Sequence, residues 1–249
     1  YWTREVFDLF YPSYGDTYPT YSGAIGMTYE QAGNSSSGRT IQLENGDTLN
    51  IQEKIDHNTV VALSTVEISA KNAEKIISNF KNYYAESIKN PNGKYKTYVL
   101  KSSPGIQRLA ALFERSGIQY GYATQNSKST AYHYQTKSSK AFDIQEGDMV
   151  VHASQPRSVL LQVLMEEEPA LSDSLTYDIT SWALPFAYGI DCYAYTTAVK
   201  VDVSKTKTEK TVTKEINGAV FSIQIPWNDL TSAKALSDLP VKADDLNDS

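Results

Sequence analysis

KYKTYVLKSSPGIQRLAALFERSGIQYGYA, residues 94–123, decides the fold. Lys94–Lys101 reads as a strand. From Gly105 to Ser116, residues Ile106, Leu109, Leu112 and Phe113 recur at helical spacing and fall on one face. Gly117 stands where a left-handed helix cap is wanted, and Ile118–Ala123 reads as the next strand. Residues 125–140 are polar and predict a hairpin or loop. Glu146-Gly147-Asp148 predicts a turn before the strand Met149–His152. Pro156 suits a first helical turn, and Arg157–Glu167 continues as helix. Strand, helix, strand, strand, helix is the order of an α/β sheet.

Outward from this core the chain changes character twice. Upstream, residues 1–22 are aromatic-rich and punctuated by Pro12, Gly15 and Pro19, which predicts a loop with rings packed down. Residues 23–32 (GAIGMTYEQA) predict a short buried strand ending on a carboxylate, and residues 33–40 a turn region. IQLENGDTLNI, residues 41–51, predicts a hairpin around Asn45-Gly46. A long helix over residues 58–89 follows from Leu63, Val66, Ala70, Ala73, Ile77, Phe80 and Tyr84, with Asp56 or Asn58 as its cap. Asn90-Pro91-Asn92-Gly93 ends it and marks a domain boundary. Downstream, Asp178 can cap a helix that Pro185 interrupts, residues 199–225 alternate like strands, and residues 226–239 open another helix. The expected domains are 1–90, 94–199 and a β-rich segment at 200–249.

The 249 residues suffice for one large domain or two small ones, and at 41% hydrophobic they can bury a core. A net charge of −6 argues against a nucleic-acid partner, because phosphate binding needs clustered Lys and Arg. The lysines at 200, 205, 207, 210 and 214 are interleaved with Asp202, Glu209 and Glu215, as on a solvated surface. No apolar run reaches the eighteen residues of a membrane span. The single cysteine, Cys192, excludes an internal disulfide and a thiolate metal cluster. With 18 Tyr against 7 Phe, the chain favours half-exposed strands and wet binding surfaces, of a secreted enzyme or of a glycan-binding module.

Most reaction classes find no motif. His57, His133 and His152 are far apart, without HxxE, HExxH or HxH spacing, so a zinc site here needs long-range convergence. The expected roles are plain: His57 flanks a helix, His133 sits in a polar loop, and His152 ends a strand. No Gly-x-Ser-x-Gly elbow and no phosphate loop occurs, and Cys192 lacks tight glycine flanks and reads as a buried structural residue. Glu30 remains. A carboxylate at the rim of a sheet is well placed as a general base, and is equally an ordinary end of a strand.

Phe10–Gly33, FYPSYGDTYPTYSGAIGMTYEQAG, resembles the end of the catalytic domain in bacterial M14-type zinc carboxypeptidases. YVLKSSPGIQRLAALFERSGIQYGYA, the Ser154-Gln155-Pro156 step and YDITSWALPFAYG resemble the α/β region that follows that domain in the large bacterial members. The resemblance covers roughly residues 1–196. It implies that Glu30, in the G-x-T-Y-E pattern, is the general acid/base, and that Tyr11, with Tyr14 second, lines the substrate pocket. It implies a secreted or periplasmic hydrolase acting on peptide C-termini. It also implies a fold in which the end of a carboxypeptidase-like α/β domain precedes a smaller flavodoxin- or amidotransferase-like α/β domain.

The family's zinc ligands and its carboxylate-clamping arginines precede the glutamate. The resemblance therefore places zinc in an intact parent protein and none in this chain alone, which is expected to be inactive by itself. The alternative is a non-catalytic accessory module that recognises peptide or glycan through tyrosines, with ring clusters at Tyr120, Tyr122, Tyr132 and Tyr134.

Overall fold

The computed structural model describes residues 11–29, 40–168 and 183–206, with 234 and 237. The chain divides into two compact units, Tyr11–Glu86 and the part from Ser87 onward. The protein is mixed α/β.

The first unit opens with a loop and the short helix α1 (Thr17–Tyr21). Residues Gly23–Tyr29, expected to begin a buried strand, form no strand, and Ile25 and Met27 are 66% and 51% exposed. A strand needs neighbours to take its backbone groups, and none is paired here among the described residues. The expected hairpin is present as β1 (Ile41–Gln42) and β2 (Thr48–Leu49), paired antiparallel. Gly46 turns it at φ +88°, and the Asn45 side chain holds the Asp47 amide at 3.1 Å.

The long helix differs from expectation at both its start and its middle. It begins at Ile51, seven residues before residue 58. Asn50 accepts from the Glu53 amide at 3.0 Å, and the Glu53 carboxylate accepts from the Asn50 amide at 2.9 Å. This reciprocal capping box fixes the start. The helix then breaks at Asn72 into α2 (Ile51–Lys71) and α3 (Ala73–Lys89). Asn72 leaves helical geometry (ψ 17°) and turns its side-chain amide back to the Ile68 carbonyl at 2.8 Å, the local competition that makes Asn a poor helix-interior residue.

The second unit is built on a seven-stranded sheet. Its elements are β3 (Thr97–Leu100), α4 (Ile106–Ser116), β4 (Gly121–Ala123), β5 (Ser127–His133), β6 (Ser138–Ile144), β7 (Met149–His152), α5 (Ser158–Met165), α6 (Leu184–Ala187), β8 (Cys192–Tyr195) and β9 (Val203–Ser204). The spatial order is β6-β5-β8-β3-β7-β4-β9. Every described pairing is antiparallel.

The topology follows from these pairings. Strands β3 and β4 both run against β7, so they share a direction, and α4 carries the chain from one to the other across β7. In the same way α5 and α6 connect β7 to β8 across β3. Two interlocked strand–helix–strand crossovers make a split βαβ arrangement, with the β5–β6 hairpin added outside β8. A flavodoxin-like sheet has parallel neighbours. Both arrangements write strand–helix–strand into the sequence. They differ in what fills the gap beside each strand, and here an antiparallel strand from the other crossover fills it.

The core lies on both faces of this sheet. One face joins Val99, Val150, Tyr193, Tyr195, Ile144 and Ala131, with Val199 and Val201 packed on it. The other carries Tyr98, Leu100, Met149 and Cys192, because neighbours along a strand point oppositely. Helix α4 buries Ile106, Leu109, Ala110 and Phe113, and ends at Gly117 with φ +69°. Pro185 lies in the first turn of α6, so it opens that helix and does not interrupt one. The Asp178 cap and the 226–239 helix fall outside the described residues, apart from helical positions 234 and 237. No helix among the described residues is long and apolar enough to cross a membrane.

Candidate functional site

Glu30 lies outside the described residues. Its expected companions do come together. The Tyr11 and Tyr14 rings meet edge-on, with centroids 4.8 Å apart. The buried Thr17 hydroxyl donates to the Tyr11 carbonyl at 2.6 Å and anchors the loop that carries both rings.

The run leading to Glu30 is pinned against the start of α1. Thr28 donates to the Asp16 carboxylate at 2.5 Å, which holds that carboxyl below its ordinary value. The Gly26 amide donates to Thr20 at 3.2 Å, and a Cβ on Gly26 would lie 1.8 Å from the Asp16 carbonyl, so only glycine fits. Ile25, Met27, Ile76, Ile77 and Phe80 then line an apolar hollow of about 380 Å³ along α3. Ile77 is 67% exposed there.

All three histidines and the cysteine lie among the described residues. No three His, Cys, Asp or Glu among them converge on a point. His57 lies inside α2 and not beside a helix. His133, expected in a polar loop, ends β5 and is buried, stacked on Tyr193 at 4.6 Å with Nδ1 2.9 Å from the Thr136 hydroxyl. His152 ends β7, where burial lowers its pKa. Cys192 is fully buried in β8, and burial pushes its thiol well above its ordinary value, the opposite of a nucleophile's requirement.

A better-formed site lies in the sheet unit. Across β5, β8 and β3 one row reads Tyr132, Ala194, Tyr98. Ala194 carries only a methyl between two rings, so neighbouring rings can converge over it. Tyr134 does so, with its centroid 6.0 Å from Tyr132 and 6.4 Å from Tyr98. Its hydroxyl donates to the Met165 carbonyl at 2.8 Å, tying the row to the end of α5. Tyr95, just before β3, stacks on Tyr132 at 5.4 Å. These four rings, with Gln162 and Glu167 from the α5 side, line a cavity of about 200 Å³.

Carboxylates at the end of α5 and two lysine ammonium groups meet at this cavity. Burial raises the pKa of Tyr98 and Tyr134, so both phenols stay protonated and able to donate. Tyr132 is pushed up to about 12, by burial and then by the Glu167 charge. Burial also raises Glu166 and Glu167, though for Glu167 the Tyr132 hydroxyl at 3.4 Å and Lys137 pull the other way. Lys137 pairs with Glu168 at 2.5 Å. The Lys94 ammonium stands over the Tyr95 and Tyr132 rings, at 5.0 and 5.4 Å.

Of this constellation the sequence offered Tyr132 and Tyr134 as exposed rings, and Tyr134 is instead 1% exposed. Tyr120 and Tyr122 form a separate edge-on pair at 5.7 Å, with Tyr122 buried and the Tyr120 hydroxyl on Glu114 at 2.6 Å. Tyr95, Tyr98, Gln162 and Glu167 carried no sequence signal, since they lie on separate elements that only the sheet brings together. The chain matches no family model, no curated protein and no solved structure.

Proposed function

We propose that this chain is the rear portion of a secreted zinc metallocarboxypeptidase that hydrolyses C-terminal peptide bonds, with Glu30 as its general acid/base. The zinc ligands belong to a part of the parent protein outside this chain. Glu30 takes a proton from the attacking water and returns one to the leaving amine. Tyr11 and Tyr14 line the pocket beside it. In the finer arrangement, the Tyr11–Glu86 unit is the end of a carboxypeptidase-like domain and the sheet unit is a separate α/β domain that follows it in the sequence.

One observation carries this reading. GAIGMTY has the sequence of a strand and leads directly to Glu30, yet its apolar side chains are exposed beside an apolar hollow on α3. An unpaired apolar strand sequence beside an apolar groove is what remains of a sheet edge when its neighbours belong to another segment. The test is mass spectrometry of the native protein, captured with an antibody raised against this chain. A larger product with an HxxE peptide ahead of Tyr1 supports the reading. A native product of 27.7 kDa overturns it.

The second reading is a non-catalytic module for peptide or glycan. The tyrosine cavity favours it, and its carboxylate side favours peptide over neutral sugar.

A further inference from the structure

We propose that the cavity between β3, β5 and α5 is a binding site for a primary ammonium group on a flexible aliphatic stem, of the kind a lysine side chain carries. The proposal rests on the reading of the sheet unit as a binding module. Three features support it.

The first is shape and lining. About 200 Å³ bounded by Tyr95, Tyr98, Tyr132 and Tyr134 accommodates one extended side chain, and the ring faces suit an aliphatic stem. The second is charge. Glu168 is matched by Lys137, but among the described residues no cation lies within ion-pair distance of Glu166 or Glu167. Glu166 is exposed, but burial penalises the charge on Glu167 more than Lys137 and Lys94 offset it, and a cation entering beside it relieves that penalty.

The third is a built-in stand-in. Lys94 holds its own ammonium within cation–π distance of Tyr95 and Tyr132 at once. Lys94 is exposed and lines the same cavity, so a lysine-type ammonium is already the group these rings select. A ligand ammonium that reaches deeper, toward Glu167 and the Tyr98 hydroxyl, competes with Lys94 for the rings. Lys94 is therefore an internal competitor, and its removal is expected to strengthen binding.

That sign makes the proposal testable with the full chain. The probes are N-acetyl-lysine methylamide and its uncharged analogue N-acetyl-norleucine methylamide, titrated by calorimetry and by proton NMR of the tyrosine rings. The lysine probe is expected to bind and the norleucine probe to bind at least about 10-fold more weakly. Lys94→Ala tightens the lysine probe roughly 3-fold, and Glu167→Gln weakens it roughly 10-fold. Circular dichroism on each variant checks that the fold is kept. Should Glu167→Gln fail to fold, Tyr132→Leu replaces it, with a loss of roughly 5-fold. Equal affinity for the two probes, or weaker binding in Lys94→Ala, overturns the ammonium assignment. Binding of a neutral disaccharide in place of the lysine probe also overturns it, but leaves the module reading standing. No binding by any of these overturns both.

Discussion

Helices α2 and α4 make an instructive pair. Both have apolar residues at helical spacing, and both were legible as helices. Helix α4 buries Ile106, Leu109, Ala110, Phe113 and Ser116 within eleven residues, whereas α2 buries none of its twenty-one. On α2, Leu63 and Val66 are 65% and 69% exposed. The contrast teaches that periodicity specifies a face and says nothing of what covers it. The α4 face is covered because its flanking strands return to the same sheet. The α2 face has a hairpin before it and another helix after it, and neither builds a surface for it to cover.

The sharpest way to break this comparison is to truncate one apolar residue on each helix. Phe113 is fully buried, and Phe113→Ala should destabilise the sheet unit by about 3–5 kcal/mol through lost transfer energy and the cavity left behind. Leu63→Ala should change stability by less than about 0.5 kcal/mol. Denaturant unfolding followed by hydrogen exchange in each unit measures both. A large loss in Leu63→Ala would mean that the α2 face is covered in solution.

Next in size is a polar contrast. Asp148 is fully buried, and its carboxylate is held by Lys101 at 2.5 Å, the Ser102 amide at 3.0 Å and the Gln145 amide at 2.8 Å. Asp148→Ala leaves two backbone donors without their acceptor and Lys101 with only the Asp143 carbonyl, and should cost about 3 kcal/mol. A smaller loss would mean that water replaces the carboxylate. In the other unit the equivalent local device is the Asn50–Glu53 capping box. Asn50→Ala should cost about 1 kcal/mol and fray the first turn of α2, seen as faster amide exchange at residues 51–54.

That capping box also marks the limit of sequence reading. Asn50 and Glu53 stood in plain view, but the apolar spacing from Leu63 onward drew the expected start to residue 58. Where chemistry is local the reading succeeded: Gly46, Gly117 and Gly147 all turn at positive φ as their contexts required. Where it is non-local the reading failed. Strand β5 pairs with β8, Tyr132 opposite Ala194, some sixty residues apart, and no short-range pattern encodes that choice. The tyrosine cavity depends on the same pairing. The ring count of β5 was legible, while the burial of Tyr134 depended on α5 arriving over it. Tyr11 and Tyr14, three residues apart, meet edge-on, while Glu30 lies outside the described residues.

The smallest expected effect tests whether the cavity, and not the surface at large, sets the charge balance of the sheet unit. Burial raises the Glu166 carboxyl above its ordinary value of 4.5 in the folded chain. The folded state therefore binds more protons than the unfolded one once the pH passes that value. The stability this group contributes is complete below about pH 4.5 and is lost as the pH rises through the folded value. Glu166→Gln removes the penalty, so it should raise Tm at pH 7 and leave it unchanged at pH 4. Glu166 is exposed to solvent, so the gain should not exceed about 2 °C. Glu67→Gln on the exposed face of α2 is the control. It loses only a solvent-exposed pair with Lys71, one turn along, and should give no such gain at pH 7. A Glu166→Gln gain that persists at pH 4 would trace to something other than charge, and would remove Glu166 from the set of groups that a cation in the cavity could relieve.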